Sequence, residues 1–397
     1  MPADVTLVST YPPSGVRHGG ASGVASYTAN LAHGLAGEGA RVAVIAPEAS
    51  GEPMFSNDGP VSVRRCFRRG PNALPAAARA AEATGAPVVH LQHEVFLFGG
   101  TTAIPGLVAA LRRLRRSCGL VVTLHQVVDP TAVDSDFTRL HRVRVPAPVA
   151  RTALGTLQTT VRRMAHRVIV HEPGFAPVVA GADVIPHGVE SRPTPSRRAA
   201  CERLGLDRDR LNALCFGFLA PYKGIETALR AATIAGDRTR LIVAGGEHPR
   251  LSGRDQYAEH LRRRWGGTAR FVGYVPDADV ADWFAAADVA LYPYPRPFSS
   301  SGALALALAQ RTPVLLSPAL AATTGAPSGL IASEDPDALA AQLTGLADRP
   351  ERRERLAFDA AVMAQHRTWP EIAARHLELY GEVCDVDGPA GRRLRAG

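Results

Sequence analysis

The sequence predicts an α/β protein of two facing, doubly wound, Rossmann-like domains, each on a mostly parallel sheet. Two observations carry this. Short β-branched runs alternate with helical patterns along nearly the whole chain, and strands separated by helices pair in parallel through right-handed crossovers. The alternation stops at a polar, Pro-rich stretch, ESRPTPSRR, and then restarts. A length of 397 residues agrees, being too great for one ordinary domain and natural for two.

In the first unit, strands are expected at residues 5–9, 41–46, 61–66, 87–92, 120–123, 167–170 and 183–185. A helix over 23–35 places Val24, Tyr27, Leu31 and Leu35 on one face. In the second unit, strands are expected at 214–217, 240–244, 270–272, 289–292 and 312–316, with helices at 224–235, 279–287 and 302–310. The segment 352–383 reads as helices interrupted near Trp369 and Pro370. Its last helix is amphipathic through Ile372, His376, Leu377, Leu379 and Tyr380.

Apolar residues at 46% and charged residues at 21% exclude a disordered or membranous chain. The formal charge of +8 suits anionic partners such as sugar nucleotides or phospholipid surfaces, and equally a plain solvated arginine-rich surface. Nucleic acid is not expected, because no aromatic residues alternate with the cluster Arg112, Arg113, Arg115 and Arg116. Five scattered cysteines without a CxxC pair indicate reduced thiols rather than disulfides or a zinc site. The N-terminal residues lack the charged start of a signal peptide, and no stretch approaches the roughly 20 apolar residues of a membrane span. A cytoplasmic location is expected. Oligomeric state leaves no mark.

Ligands of open α/β sheets bind beyond the carboxyl ends of the strands, and four loops there are chemically suggestive. The loop 11–23 is rich in glycine (Gly15, Gly19, Gly20, Gly23), which lets backbone amides approach an anion at a helix start; a simple flexible loop competes with that reading. His125 follows the strand VVTL, with His90, His93 and Glu94 at the preceding strand end, and a structural, hydrogen-bonded histidine is the alternative. Lys223, in GFLAPYKGIE, precedes Gly224 and a helix, where it can meet a diphosphate or merely be solvated. Finally, Ser299, Ser300 and Ser301 precede Gly302 and an apolar helix. One serine makes an ordinary cap, while three beside a glycine look like a site.

These elements, in this order, resemble the family 4 retaining glycosyltransferases of the two-domain GT-B fold. The carrying segments are GGASGVASYTANLAHGLAGEGARVAVIAP, VVHLQHE, VVTLH, VIPHGVE, FGFLAPYKGIE, FVGYVPDADVADWFAAADVALYPY and SSSGALALALAQRTPVLLS. The resemblance implies an acceptor domain over 1–190, a linker over 191–209 and a nucleotide-sugar domain over 210–370, with 371–397 crossing back to complete the first domain. It implies that His125 lines the transfer centre, that Lys223 neutralises the departing diphosphate, and that Gly20 approaches the phosphates or acceptor. Further donor contacts are implied at Phe218, Gly246, Glu247, Tyr274, Val275, Ser299, Ser300, Ser301 and Gly302, and acceptor contacts at Gly19, His93, Glu94 and Asp129. No metal or other cofactor is expected beside the nucleotide-sugar co-substrate.

The likeness has three departures. Phe218 stands where the family has an arginine, and Phe298 and Leu306 stand where it has paired glutamates. The chain looks closest to a divergent subgroup that carries an SGxLAxA-type segment, QHE, a PYKG loop and the residues Glu247, His248 and Pro249. Arg296 either restores the missing charge or forms a surface salt bridge. The expected function is a retaining transferase moving a sugar from a UDP- or GDP-sugar to a hydroxyl of a small metabolite or glycan. Peripheral membrane contact through the basic run 139–144 is an open alternative to a soluble acceptor. The alternatives are a sugar-nucleotide epimerase, a glycoside phosphorylase or a non-catalytic binder. A NAD(P) oxidoreductase ranks last, since neither unit carries GxGxxG with a following ribose-binding acid.

Overall fold

The computed structural model describes residues 3–16, 22–140, 143–190, 193–247 and 256–387. The first sheet contains β1 (Val5–Val8), β2 (Val42–Pro47), β3 (Phe55–Asp58), β4 (Val61–Phe67), β5 (Val88–His93), β6 (Gly119–Leu124), β7 (Arg167–Val170) and β8 (Asp183–Val184). Their spatial order is β3-β4-β2-β1-β5-β6-β7-β8, parallel except for the β3–β4 pair. The second sheet holds β9 (Leu211–Phe216), β10 (Thr239–Ala244), β11 (Ala269–Gly273), β12 (Val289–Tyr292) and β13 (Val314–Leu316), in the all-parallel order β11-β10-β9-β12-β13. Strand order reverses beside β1 in one sheet and beside β9 in the other, which opens a crevice at each switch point.

Every strand expected from the sequence is present, most with ends moved by a residue or two. The strand β3 was not expected. Its sequence, FSND, has no apolar alternation, because it is an exposed edge held only by its antiparallel partner. The stretch 191–209 is also more than a linker. Ser196 caps a helix, Arg197–Leu204, which ends on Gly205 at φ 59° and buries Ala200 and Cys201 against Ala286 of the second domain.

Period-two alternation sorts the first sheet into two faces. Val89, Leu91, Leu120, Val122, Val168 and Val170 pack with Leu107, Leu111 and Val161 of the helices Ile104–Ser117 and Ala147–Met164. The opposite face, with Val5, Leu7, Val44, Val88, Val121 and Ile169, is covered by the helices Gly23–Gly37 and Trp369–Asp387. The C-terminal segment is thus shared. Pro350–Ala364 contributes Leu356, Ala360 and Met363 to the second core, and Trp369–Asp387 seals the first.

The crossing lies slightly earlier than expected. The break falls at 365–368, where His366 adopts φ 57°, and Pro370 sits inside the first turn of the final helix, where its missing N–H costs nothing. A capping box fixes that start: the Thr368 N–H donates to Glu371 Oε2 at 3.1 Å and its hydroxyl at 2.6 Å. Val189 N–H donates to the Arg367 carbonyl at 2.7 Å, so the outgoing and returning strands run side by side. Trp369 is wedged against Gly188, where a Cβ would lie 2.6 Å from the indole. Gly188→Ala should therefore overpack the junction and cost about 1–3 kcal/mol. A lowered urea midpoint with unchanged slope checks this.

Candidate active site

A cleft of about 440 Å³ lies where the carboxyl ends of the two sheets face each other, and both domains line it. On the second-domain side, two close backbone approaches shape the floor. A Cβ on Gly245 would fall 1.9 Å from the Gly217 carbonyl, and one on Gly224, at φ 62°, would fall 1.9 Å from the Pro293 carbonyl. Only glycine fits at these points. Gly224 follows the single turn Pro221–Lys223 and opens the helix Ile225–Ala235, which aims Lys223 into the cleft.

Lys223 Nζ donates to the Tyr294 hydroxyl at 2.6 Å and sits 4.3 Å from the Tyr294 ring centre. Burial lowers the Lys223 pKa. The Tyr294 hydroxyl is 3.3 Å from Ser301 Oγ, and Ser301 caps the helix Gly302–Ala309 by accepting from Leu304 N–H. An ammonium and a helix N-terminus therefore share one wall, an arrangement suited to an anion.

On the first-domain side, His125 is buried at the end of β6. Its Nε2 lies 2.8 Å from the Gln92 side-chain amide, its Nδ1 lies 3.3 Å from His171 Nε2, and the Tyr27 ring meets it edge-on at 4.9 Å. Burial, reinforced by the neighbouring His171, His187, His90 and His93, holds its pKa well below the usual histidine value. Burial pushes His171 down to about 3, and His93, His187 and His376 to about 4. Despite this density of imidazoles, no three His, Cys, Asp or Glu among the described residues converge where they could hold a metal ion.

A strap from the second domain crosses onto the first. Phe298 carbonyl accepts from Val127 N–H at 2.7 Å, Ser299 pairs with Gln126 as an isolated antiparallel bridge, and Arg296 meets Asp134 at 2.7 Å. Ser300 Oγ donates to Glu172 Oε1 at 2.5 Å. Glu172 is almost fully buried; burial raises its pKa, and Arg367 and Ser300 oppose that rise.

The structure brings together most of the residues singled out from sequence. His125, Glu94, Phe218, Lys223, Gly246, Tyr274, Val275, Ser299, Ser300, Ser301 and Gly302 all line the cleft. Phe298 and Leu306 do as well, Phe298 edge-on to Tyr222 at 5.7 Å between ring centres. Others belong elsewhere. His93 is buried away from the lining and offers its carbonyl to His125 N–H. Asp129 points its carboxylate at Thr131, capping the turn Pro130–Ala132. Glu247 pairs through its backbone with Leu219 outside the lining. Arg296 takes the surface ion pair rather than restoring charge to the cleft. Gly19, Gly20, His248 and Pro249 lie outside the described residues.

Sequence reading missed Tyr27, Gln92, His171, Glu172 and Tyr294 as parts of the site. The signal was present for two of them: His171 and Glu172 stand one and two residues beyond β7, as His125 stands one beyond β6. Tyr27 was legible only as a core position of its helix.

Two family models match the chain. "Glycosyl transferase 4-like domain" covers residues 22–177 and "Glycosyl transferases group 1" covers 210–349. The chain belongs to the family 4-type glycosyltransferases. Within the family, D-inositol 3-phosphate glycosyltransferase 2 of Catenulispora acidiphila is 33% identical over 217 residues, 51% of this chain and 50% of that protein. The match thus spans about half the length of that relative. Sucrose-phosphate synthase from Thermosynechococcus elongatus superposes with a TM-score of 0.75 at 19% identity, covering 96% of this chain and 99% of its own. Anabaena HepE in complex with UDP-glucose gives 0.67 at 15%, covering 95% and 99%. These likenesses show the GT-B fold.

The buried histidines make stability depend on pH with a definite sign. Their folded pKa values lie below the unfolded 6.5, so the unfolded chain binds more protons and stability falls as pH drops from about 6.5 towards 4. Each fully buried histidine adds a slope of about 1.4 kcal/mol per pH unit in that window. Urea midpoints should be level above pH 7.5 and decline with a slope of more than one proton below pH 6.

Proposed function

We propose that this chain is a retaining glycosyltransferase that moves a sugar from a nucleoside-diphosphate donor, held mainly by the second domain, to a hydroxyl of an acceptor held mainly by the first. The observation that carries this reading is the shared wall of Lys223, Ser301 and the Gly302–Ala309 helix end in a cleft closed over by the first domain. As the bond from the sugar's anomeric carbon to the diphosphate oxygen breaks, negative charge grows on the diphosphate. A preorganised ammonium and a helix N-terminus meet that charge without rearranging, which lowers the barrier. The Lys223 ammonium donates to the Tyr294 hydroxyl, and a diphosphate is the better acceptor of the two.

Retention of anomeric configuration goes with the family type. UDP-sugars are the first donors to try, because a structural neighbour carries UDP-glucose. The acceptor half of the cleft presents Ser22, Ser26, Asn30, Arg69 and Glu94, groups that suit a polyhydroxylated, anionic acceptor. The relatives named D-inositol 3-phosphate glycosyltransferase point to the same chemistry.

Lys223→Ala should lower turnover by roughly 100- to 1,000-fold while leaving the thermal midpoint unchanged within a few degrees. Turnover followed as nucleoside diphosphate release, with the product's anomeric coupling read by NMR, checks both parts. Unaltered turnover would remove Lys223 from the mechanism. An inverted anomer would overturn retention, and donor isomerised without acceptor would favour an epimerase.

A further inference from the structure

Period-two alternation places a line of polar groups on the first-sheet face covered by helix Trp369–Asp387: His90 and Gln92 on β5, Thr123 on β6, and His125 and His171 just beyond β6 and β7. All are buried, three of them with no exposed surface at all. They touch in series. The Tyr380 hydroxyl lies 2.6 Å from His90 Nδ1, and His90 Nε2 lies 2.7 Å from Thr123 Oγ1 and 3.1 Å from the Gln92 amide. The other end of that amide is 2.8 Å from His125 Nε2, His125 Nδ1 is 3.3 Å from His171 Nε2, and His171 Nδ1 is 2.9 Å from the Ile185 carbonyl.

Counting protons along this line fixes its polarity. The Ile185 carbonyl only accepts, so His171 Nδ1 carries a proton. A neutral His171 then offers a lone pair on Nε2, and His125 must donate to it from Nδ1. A neutral His125 is left with a lone pair on Nε2, which requires the Gln92 NH₂ as donor. A half-turn of the amide exchanges its oxygen and nitrogen, so hydrogen-bond logic decides which end faces which ring. With NH₂ towards His125, the amide oxygen and Thr123 Oγ1 share the His90 Nε2–H, and His90 Nδ1 accepts from the Tyr380 hydroxyl. Every bond is satisfied and every ring is neutral.

The structure records the opposite orientation, with the amide oxygen on His125 and the NH₂ on His90. It either leaves two lone pairs facing each other at 3.3 Å between His125 and His171, a lost buried hydrogen bond, or needs a third proton on the two rings. A third proton is a buried imidazolium, and nothing near the rings supports one. His125 is faced by the Tyr27 edge and His171, with His187, His90 and His93 as the other titratable neighbours. His171 is influenced by His187, His376 and the like-charged Arg367, and the adjacent Glu172 gives its carboxylate to Ser300. An unpaired buried charge costs far more than turning an amide.

We propose that Gln92 is the positioning residue of the transfer centre: anchored through His90 to Tyr380 of the returning helix, it holds His125 as the neutral Nδ1–H tautomer and occupies its remaining ring nitrogen. Both nitrogens of His125 are then spent inside the protein. The ring neither gives nor takes a proton at the substrate, and it stands beside the reacting sugar as a rigid neutral wall. Positive charge on this side of the reaction stays with Lys223. The role at the transfer centre rests on the function proposed above; the tautomer itself does not.

Two-bond ¹⁵N–¹H correlation spectra of histidine-labelled protein test the assignment, with the His125 signals identified by their loss in His125→Phe. The wild type should show His125 in the neutral Nδ1–H form throughout pH 6–8. Gln92→Glu places a carboxylate on Nε2, so His125 should become an imidazolium over the same range, and turnover should rise with pH as that proton leaves. Wild-type His125 in the Nε2–H or charged form overturns the proposal, as does Gln92→Glu with the wild-type tautomer. Should that variant not fold, the wild-type spectrum decides alone. A correct tautomer in a protein that transfers no sugar would sink the functional reading and leave the hydrogen-bond assignment standing.

Discussion

The first sheet has one face that its own domain covers only in part, and the helix Trp369–Asp387 must come back to finish it. Helix Gly23–Gly37 packs over some of that face, and Ile372, Ala373, Leu379, Tyr380 and Val383 bury the remainder. Because the final helix belongs to the core of the first domain and its predecessor to the second, the domains are joined by two neighbouring strands rather than one tether. The Val189–Arg367 bond and the Trp369 wedge against Gly188 hold those strands together. This double joint fixes where the two sheets face each other, and therefore where the cleft lies.

From that geometry the chemistry follows. Parallel strands all end on the same side, so the loops after β5, β6, β9 and β12 meet across the joint. The second domain supplies the cation and helix end, and the first supplies a neutral, densely hydrogen-bonded wall. The strap at 296–300 links them directly, since Phe298, Ser299 and Ser300 line the cleft and also bond to Val127, Gln126 and Glu172. Relative movement of the domains therefore alters the cleft wall and the interdomain bonds together.

Much of this was legible in the sequence. Buried parallel strands read as continuous β-branched runs, and the loops after them are where ligands bind, so Lys223 and Ser301 could be picked out. What escaped depended on tertiary partners. The edge strand Phe55–Asp58 has no pattern of its own, and the helix at Arg197–Leu204 hid in a Pro-rich stretch. The three consecutive serines looked like one binding site. In the fold, Ser299 pairs by its backbone with the first domain, Ser300 reaches Glu172, and Ser301 caps a helix. Asp129 and His93 were expected as acceptor contacts, and local capping in one case and burial in the other draw them away from the cleft.

The central claim is that the wall of Lys223 and Ser301 binds a nucleoside diphosphate, and calorimetric titration tests it most directly. UDP, GDP, ADP and dTDP would be titrated in turn into the wild-type protein and into Lys223→Met. The account predicts one site per chain for at least one of these ligands, weakened about tenfold or more in the variant by loss of a charge-assisted contact. Absence of binding by all four, or equal binding by both proteins, would contradict it.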